Sequence, residues 1–102
     1  MLIVFTTVSG LARAAELAEK IVREKLAACV QVLPEITSVY FWEGEVQKES
    51  EHLLLIKTLE EKFDELSVFI RANHSYSVPE IAAVPAERVS EDYLNWISDY
   101  VK

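Results

Sequence analysis

Four stretches of the chain carry extended, apolar patterns and three follow a helical period. Leu2 to Val8 is a short run rich in β-branched residues, closed by Ser9-Gly10, and predicts a strand. From Leu11 to Leu26 the apolar positions are Leu11, Ala14, Ala15, Leu17, Ala18, Ile21, Val22 and Leu26. Arg13, Glu16, Glu19, Lys20, Arg23 and Glu24 fill the opposite face, so this stretch predicts an amphipathic helix. Cys29–Leu33 and Thr37–Trp42 read as extended segments, with Pro34 marking a kink or an edge between them. Glu43-Gly44 is the break expected to form a hairpin turn, with Gly44 at positive φ. Glu45 to Ser50 then alternates weakly, and His52 to Leu59 is strongly apolar. Glu60 to Asn73 places Phe63, Leu66, Phe69 and Ile70 on one side and predicts a second helix. Pro79 to Val89 predicts a fourth strand, and Pro85 within it suits an edge. Ser90 is placed to cap a last helix, with Glu91 and Asp92 in its first turn and an apolar stripe of Tyr93, Trp96, Ile97, Tyr100 and Val101.

The order β-α-β-β-α-β-α, wound with right-handed crossovers, predicts an α+β fold. It is a ferredoxin-like βαββαβ sandwich with an extra C-terminal helix, as one domain over residues 1–102. Helices cover one face of such a sheet. Here both faces of the central strands are apolar, since Ile3 and Phe5 alternate with Leu2 and Val4, and Leu53 and Leu55 with Leu54 and Ile56. Something must cover the second face. The hairpin strands are also long, roughly 13 residues or about 43 Å each, against about 23 Å for the first strand. Tyr40, Phe41 and Trp42 sit at their tip, where exposure to water is costly. A homo-oligomer that buries each hairpin against a neighbour meets both demands. The competing arrangement bends the hairpin at Pro34 and lays the C-terminal helix over the bare face.

Composition narrows the partners. The chain is 51% hydrophobic with two glycines and three prolines, which excludes disorder and low-complexity sequence. Seventeen acidic against ten basic residues give a net charge of −7, which argues against nucleic acid and anionic membranes. Met1-Leu2-Ile3-Val4-Phe5 runs into Thr6-Thr7 without the layout of a secretory signal, so none is expected. The run Leu53–Ile56 is stopped by Lys57, far short of a membrane span. The single Cys29 cannot form an intrachain disulfide, and a reducing, cytoplasmic setting is expected.

Candidate chemistry is sparse. Cys29 follows Ala27-Ala28 and reads as an inert core thiol, since no spacing sets a base beside it. His52 lies at the rim of an apolar strand, as a cross-strand or interface histidine does. His74 differs: it opens His74-Ser75-Tyr76-Ser77-Val78-Pro79-Glu80, a loop between helix and strand where sites are often built. Lys57 interrupts an apolar strand, and an inward lysine needs a carboxylate partner or an anionic ligand. Tyr40, Glu51, His74, Tyr76 and Glu80 are candidates to line the same space, and a structural ion pair is the equal alternative. Zinc-site spacings and phosphate-binding glycine loops are both missing from the sequence.

Four segments carry a specific resemblance. Lys25-Leu26-Ala27-Ala28-Cys29-Val30, Thr37-Ser38-Val39-Tyr40-Phe41-Trp42-Glu43-Gly44-Glu45, His74-Ser75-Tyr76-Ser77-Val78-Pro79-Glu80-Ile81 and Asp92-Tyr93-Leu94-Asn95-Trp96-Ile97 resemble successive signatures of the CutA family of divalent-cation tolerance proteins. The resemblance spans essentially the whole chain. It implies a ferredoxin-like subunit in a stable homotrimer, related in architecture to the PII signalling proteins, with a role in tolerance of copper and other heavy metals and no established catalysis. Tyr40, Phe41 and Trp42 are then expected at the trimer interface, and Cys29, Tyr40, Glu51, Lys57, Tyr76 and Glu80 around a ligand cleft. The family's copper ligands are a first-strand cysteine and two adjacent histidines. At those positions stand Thr6, Asn73 and His74, and Ser75 replaces the usual proline. Cys29 matches the family's second-strand cysteine, which is not one of those ligands. The resemblance thus implies His74 as the one metal-ligating residue, no tightly bound cofactor and at most weak Cu2+ binding. A small enzyme or signalling module using an intersubunit cleft is the alternative, and a purely structural trimer the blandest one.

Overall fold

A computed structural model describes residues 1–102. The elements are β1 (Leu2–Val8), α1 (Leu11–Arg23), β2 (Cys29–Val32), β3 (Ile36–Trp42), β4 (Glu45–Thr58), α2 (Phe63–Asn73), β5 (Ala82–Pro85) and α3 (Glu91–Val101). A single 3-10 turn, Glu60–Lys62, leads into α2. The sheet runs β2-β4-β1-β5, with β3 continuing β2 along β4, and every neighbouring pair is antiparallel. Strand β4 thus lies between β1 and β2, the split βαβ of a ferredoxin-like α+β fold.

On the helix-covered face Leu2, Val4, Val8, Leu54 and Ile56 meet Ala14, Leu17, Ala18 and Ile21 of α1 and Leu66 and Ile70 of α2. A smaller core of Ala28, Leu59, Ile97 and Val101 seats α3 at one end of the sheet. Tyr100 of α3 donates its hydroxyl to the Val22 carbonyl at 2.6 Å. The opposite face is not closed by α3: Ile3, Phe5, Leu53 and Leu55 remain only half-buried.

Helix α1 stops at Arg23, before the Leu26 that its apolar stripe includes. Lys25 adopts φ 58, its N–H bonds the Val22 carbonyl, and the Leu26 N–H reaches back to Ile21. This is a Schellman cap in which Leu26 packs on the last turn without belonging to the helix. Strand β5 likewise shrinks from the predicted Pro79–Val89 to Ala82–Pro85. Extending its ladder would bring Glu80 opposite Thr7, but the Thr7 carbonyl already accepts from His74.

The hairpin is as long as expected. Its 14-residue strand β4 spans about 46 Å at about 3.3 Å per residue, matching the 45 Å long axis of the subunit. Glu43 (φ 50) and Gly44 (φ 79) make a two-residue turn between Trp42 and Glu45. The other strand is interrupted. Val32 pairs with Leu54 but Ile36 with Glu51, so Leu33-Pro34-Glu35 face only His52-Leu53. That one-residue bulge forms where Pro34 has no N–H to give the ladder.

Candidate functional site

The bulge decides which side chains meet. Paired residues share a face, so Cys29 and Gln31 of β2 lie with Lys57 and Leu55 of β4. After the extra residue it is Ile36, Ser38, Tyr40 and Trp42 that share the face of Glu51, Glu49, Gln47 and Glu45. Against this part of the hairpin folds the loop that follows α2. The result is a cleft of about 590 Å³ lined by Thr7 of β1, by Ser38, Tyr40, Trp42, Glu49 and Glu51 of the hairpin, and by Tyr76, Val78 and Glu80 of the loop.

Three hydrogen bonds hold the loop. His74 donates from Nε2 to the Thr7 carbonyl at 2.8 Å, and its Nδ1 accepts the Tyr76 N–H at 3.1 Å. These partners set the neutral tautomer with the proton on Nε2. The Tyr76 hydroxyl donates to Glu51 Oε2 at 2.6 Å, and the two rings lie 4.7 Å apart. Glu51 is 6% exposed. Burial would raise its carboxyl, but hydrogen bonds from Ser38, Tyr76 and Thr7 outweigh it and hold the group below the ordinary carboxylate value. Tyr76 moves the other way, its phenol raised by burial and by the bond to Glu51. At neutral pH the pair is carboxylate and phenol.

Of the residues read as lining one space, Tyr40, Glu51, Tyr76 and Glu80 line this cleft, whereas His74 faces a separate depression beside Val8 and Arg13 and reaches the cleft only through its bond to Tyr76. The fold does not bring Cys29 and Lys57 to the cleft. Lys57 lies six residues beyond Glu51 on β4, about 20 Å along the strand, and Cys29 is its cross-strand partner. Lys57 meets no carboxylate: its Nζ donates to Gln31 Oε1 at 2.9 Å and lies 5.9 Å from the Tyr93 ring centre. Sequence reasoning missed Thr7, Ser38 and Glu49 as lining, and named Trp42 only for assembly. Glu49 and Glu51, two residues apart and so on one face of a strand, were a signal for part of it.

The residues present do not form a preformed divalent-cation site. Thr6 is fully buried on the helix-covered face, where its hydroxyl has no partner. Asn73 donates its side-chain amide to the Phe69 carbonyl at 2.9 Å, and both His74 nitrogens are engaged. No three of the chain's His, Cys, Asp and Glu side chains converge.

The profile of the family described as CutA1 divalent ion tolerance protein matches residues 2–100. The chain belongs to this CutA1 family. It is similar to the divalent-cation tolerance protein CutA of Thermus thermophilus, 41% identical over 95% of this chain and 94% of that one. It is 46% identical to the chloroplastic CutA of Arabidopsis thaliana over 96% of its length. The chain spans about half the length of the plant relatives it matches, 54% and 55%. Among solved structures, the Thermus thermophilus protein superposes with a TM-score of 0.96 at 40% identity, covering all of both chains. A protein described as the periplasmic divalent cation tolerance protein CutA of Archaeoglobus fulgidus gives 0.96 at 36%, with both chains covered in full. The relatives are named for more than one compartment.

Proposed function

We propose that this CutA1 protein is a non-catalytic homotrimer that contributes to divalent-cation tolerance by sensing a ligand in the cleft between hairpin and loop, in the manner of the architecturally related PII proteins. The observation that carries this reading is the 2.6 Å bond from Tyr76 to Glu51, which latches a mobile kind of element, a loop, onto a rigid one. A ligand that competes for Glu51 exchanges that latch for its own contacts and so changes the order of the loop.

The same pair supports a non-catalytic role. General acid–base catalysis needs groups that titrate near the working pH, and here the carboxyl is lowered while the phenol is raised, both away from neutrality. Assembly is supported by the half-buried Ile3, Phe5, Leu53 and Leu55, and by a hairpin end where Val39, Tyr40, Phe41, Trp42 and Val46 are exposed. Phe41 is 71% exposed in one subunit. Closed three-fold symmetry buries such surfaces without leaving an edge for further growth. Divalent-cation binding is weak in this reading and centred on His74, which must release the Thr7 carbonyl or the Tyr76 amide in order to ligate. The free thiol of Cys29 suits a reducing compartment, and no helix is long and apolar enough to cross a membrane.

Native mass spectrometry with and without a panel of divalent cations, paired with hydrogen exchange over residues 74–81, tests the reading. A trimer with substoichiometric metal is expected. A monodisperse monomer at micromolar concentration overturns the assembly and, with it, the sensing role.

A further inference from the structure

The cleft carries more information than its position. It is lined by three carboxylates, Glu49, Glu51 and Glu80, and three aromatic rings, Tyr40, Trp42 and Tyr76, and by no lysine, arginine or histidine. Glu51 is pinned in its ionised form by Tyr76 at 2.6 Å. Glu49 and Glu80 are exposed and unpaired by any salt bridge. A concave space of about 590 Å³ with this lining repels anions and offers negative charge and π faces together.

A bare metal ion does not use the arrangement. Glu49 and Glu51 follow one another at about 6.6 Å along one strand face, and Glu51 already spends Oε2 on the Tyr76 hydroxyl. No three ligating side chains converge. Positive charges spaced along a flexible apolar chain do use it: one ammonium for each carboxylate, with methylene segments against Tyr40 and Trp42. A four-carbon diamine unit has about the spacing of two carboxylates on one strand face.

We infer that the cleft between the β3–β4 hairpin and the 74–81 loop binds an aliphatic polyamine, with Glu51 and Glu49 pairing successive ammonium groups, Glu80 closing over the ligand and Tyr40 and Trp42 forming the wall. This assignment deepens the ligand-cleft reading above and rests on it. The same ammonium chemistry is available from a lysine of a neighbouring subunit, and the test separates the two sources.

Calorimetric titration of the assembled wild-type protein with spermidine, with putrescine and with magnesium chloride is the measurement. Spermidine is expected to bind once per subunit, more tightly than putrescine, and to survive an equal concentration of magnesium. The double variant Glu49→Gln/Glu80→Gln alters only exposed side chains and is expected to weaken spermidine about tenfold, as the loss of two modest charge contacts implies. Glu60→Gln/Glu61→Gln removes the same charge elsewhere and is expected to leave the affinity unchanged. Equal weakening by both doubles reduces the effect to net charge and overturns the proposal, as does a wild-type protein that takes up no spermidine. If Glu49→Gln/Glu80→Gln instead loses the trimer, a neighbouring lysine is the occupant and the free-polyamine assignment falls. A trimer whose 74–81 amides answer some other ligand while ignoring spermidine sinks this inference alone; a monomer sinks the cleft reading beneath it.

Discussion

His52 donates from Nδ1 to the carbonyl oxygen of Leu33 at 2.9 Å, at the one point where the hairpin register slips by a residue. Leu33 still gives its N–H to the Leu53 carbonyl at 2.9 Å, but the bulge turns Pro34 and Glu35 out of the regular ladder, and the Leu33 carbonyl left unmatched there needs a donor. His52 is 8% exposed and supplies it. A rim histidine thus satisfies the backbone at the bulge that sets which residues of β3 face the cleft.

Replacing His52 with phenylalanine keeps a flat ring of slightly larger size and removes the donor. The unpaired carbonyl is expected to cost about 1–3 kcal/mol. Denaturant unfolding at fixed subunit concentration measures it, and an unshifted midpoint would show that water replaces the imidazole without loss.

Tyr76→Phe removes only the hydroxyl that holds the loop to Glu51. A bond to a charged acceptor contributes about 1.5–3 kcal/mol when buried, and the half-buried Tyr76 is expected to lose about 1 kcal/mol. Amide exchange over residues 74–81 should quicken while the core strands β1 and β4 stay protected. Equal exchange in both proteins would mean that the two His74 bonds alone hold the loop.

Much of the fold was legible because periodicity is local. The stripes of α1, α2 and α3, the two-faced apolar β1 and the Glu43-Gly44 turn can each be read from a few consecutive residues. The bulge could not, because it depends on which β4 residue opposes Ile36. The loss of residues 79–81 from β5 goes with a single long-range bond, His74 to Thr7, between residues 67 positions apart. For the site, Tyr40, Glu51, Tyr76 and Glu80 were nameable from residue type and loop position. Lys57 was grouped with them by its charge and Cys29 by the family resemblance, although strand arithmetic separates Lys57 from Glu51 by six residues on β4.

Stability toward acid should depend on Glu51. Its folded-state carboxyl lies below the ordinary value of 4.5, so its contribution is complete above that value and is lost as pH falls through the lower, folded one. Urea midpoints followed from about pH 6 to about pH 3 should fall in the lower part of that window. Glu51→Gln should flatten this segment of the curve. A parallel fall in both proteins would assign the acid sensitivity to other carboxylates.

Trp42→Ala tests the hairpin as an assembly element. Trp42 is 47% exposed beside Phe41 and Tyr40 at the end of a strand pair that outreaches the rest of the subunit. If neighbouring copies bury it, truncation removes about 3–5 kcal/mol of packing per site. Sedimentation of the variant should then show dissociation at concentrations where the wild type stays assembled. An unchanged assembly would move the contact to the half-buried sheet face of Phe5 and Leu55.

Copper decides the role of His74. A single imidazole binds Cu2+ weakly, and this one must first give up the Thr7 carbonyl or the Tyr76 amide. Thr6 cannot assist, because it is fully buried on the helix-covered face. Asn73 is the neighbour that the family pattern fills with a second histidine, and it is exposed at the end of α2. Asn73→His should therefore tighten copper binding by about tenfold or more, since a second imidazole adds a ligand without disturbing the core. His74→Ala should remove what weak binding the wild type shows. Calorimetric titration of the three proteins with Cu2+ separates the cases. Unchanged binding in His74→Ala would clear His74 of any metal role, and a gain in Asn73→His that persists when His74 is also replaced would place the ligand set elsewhere on the surface.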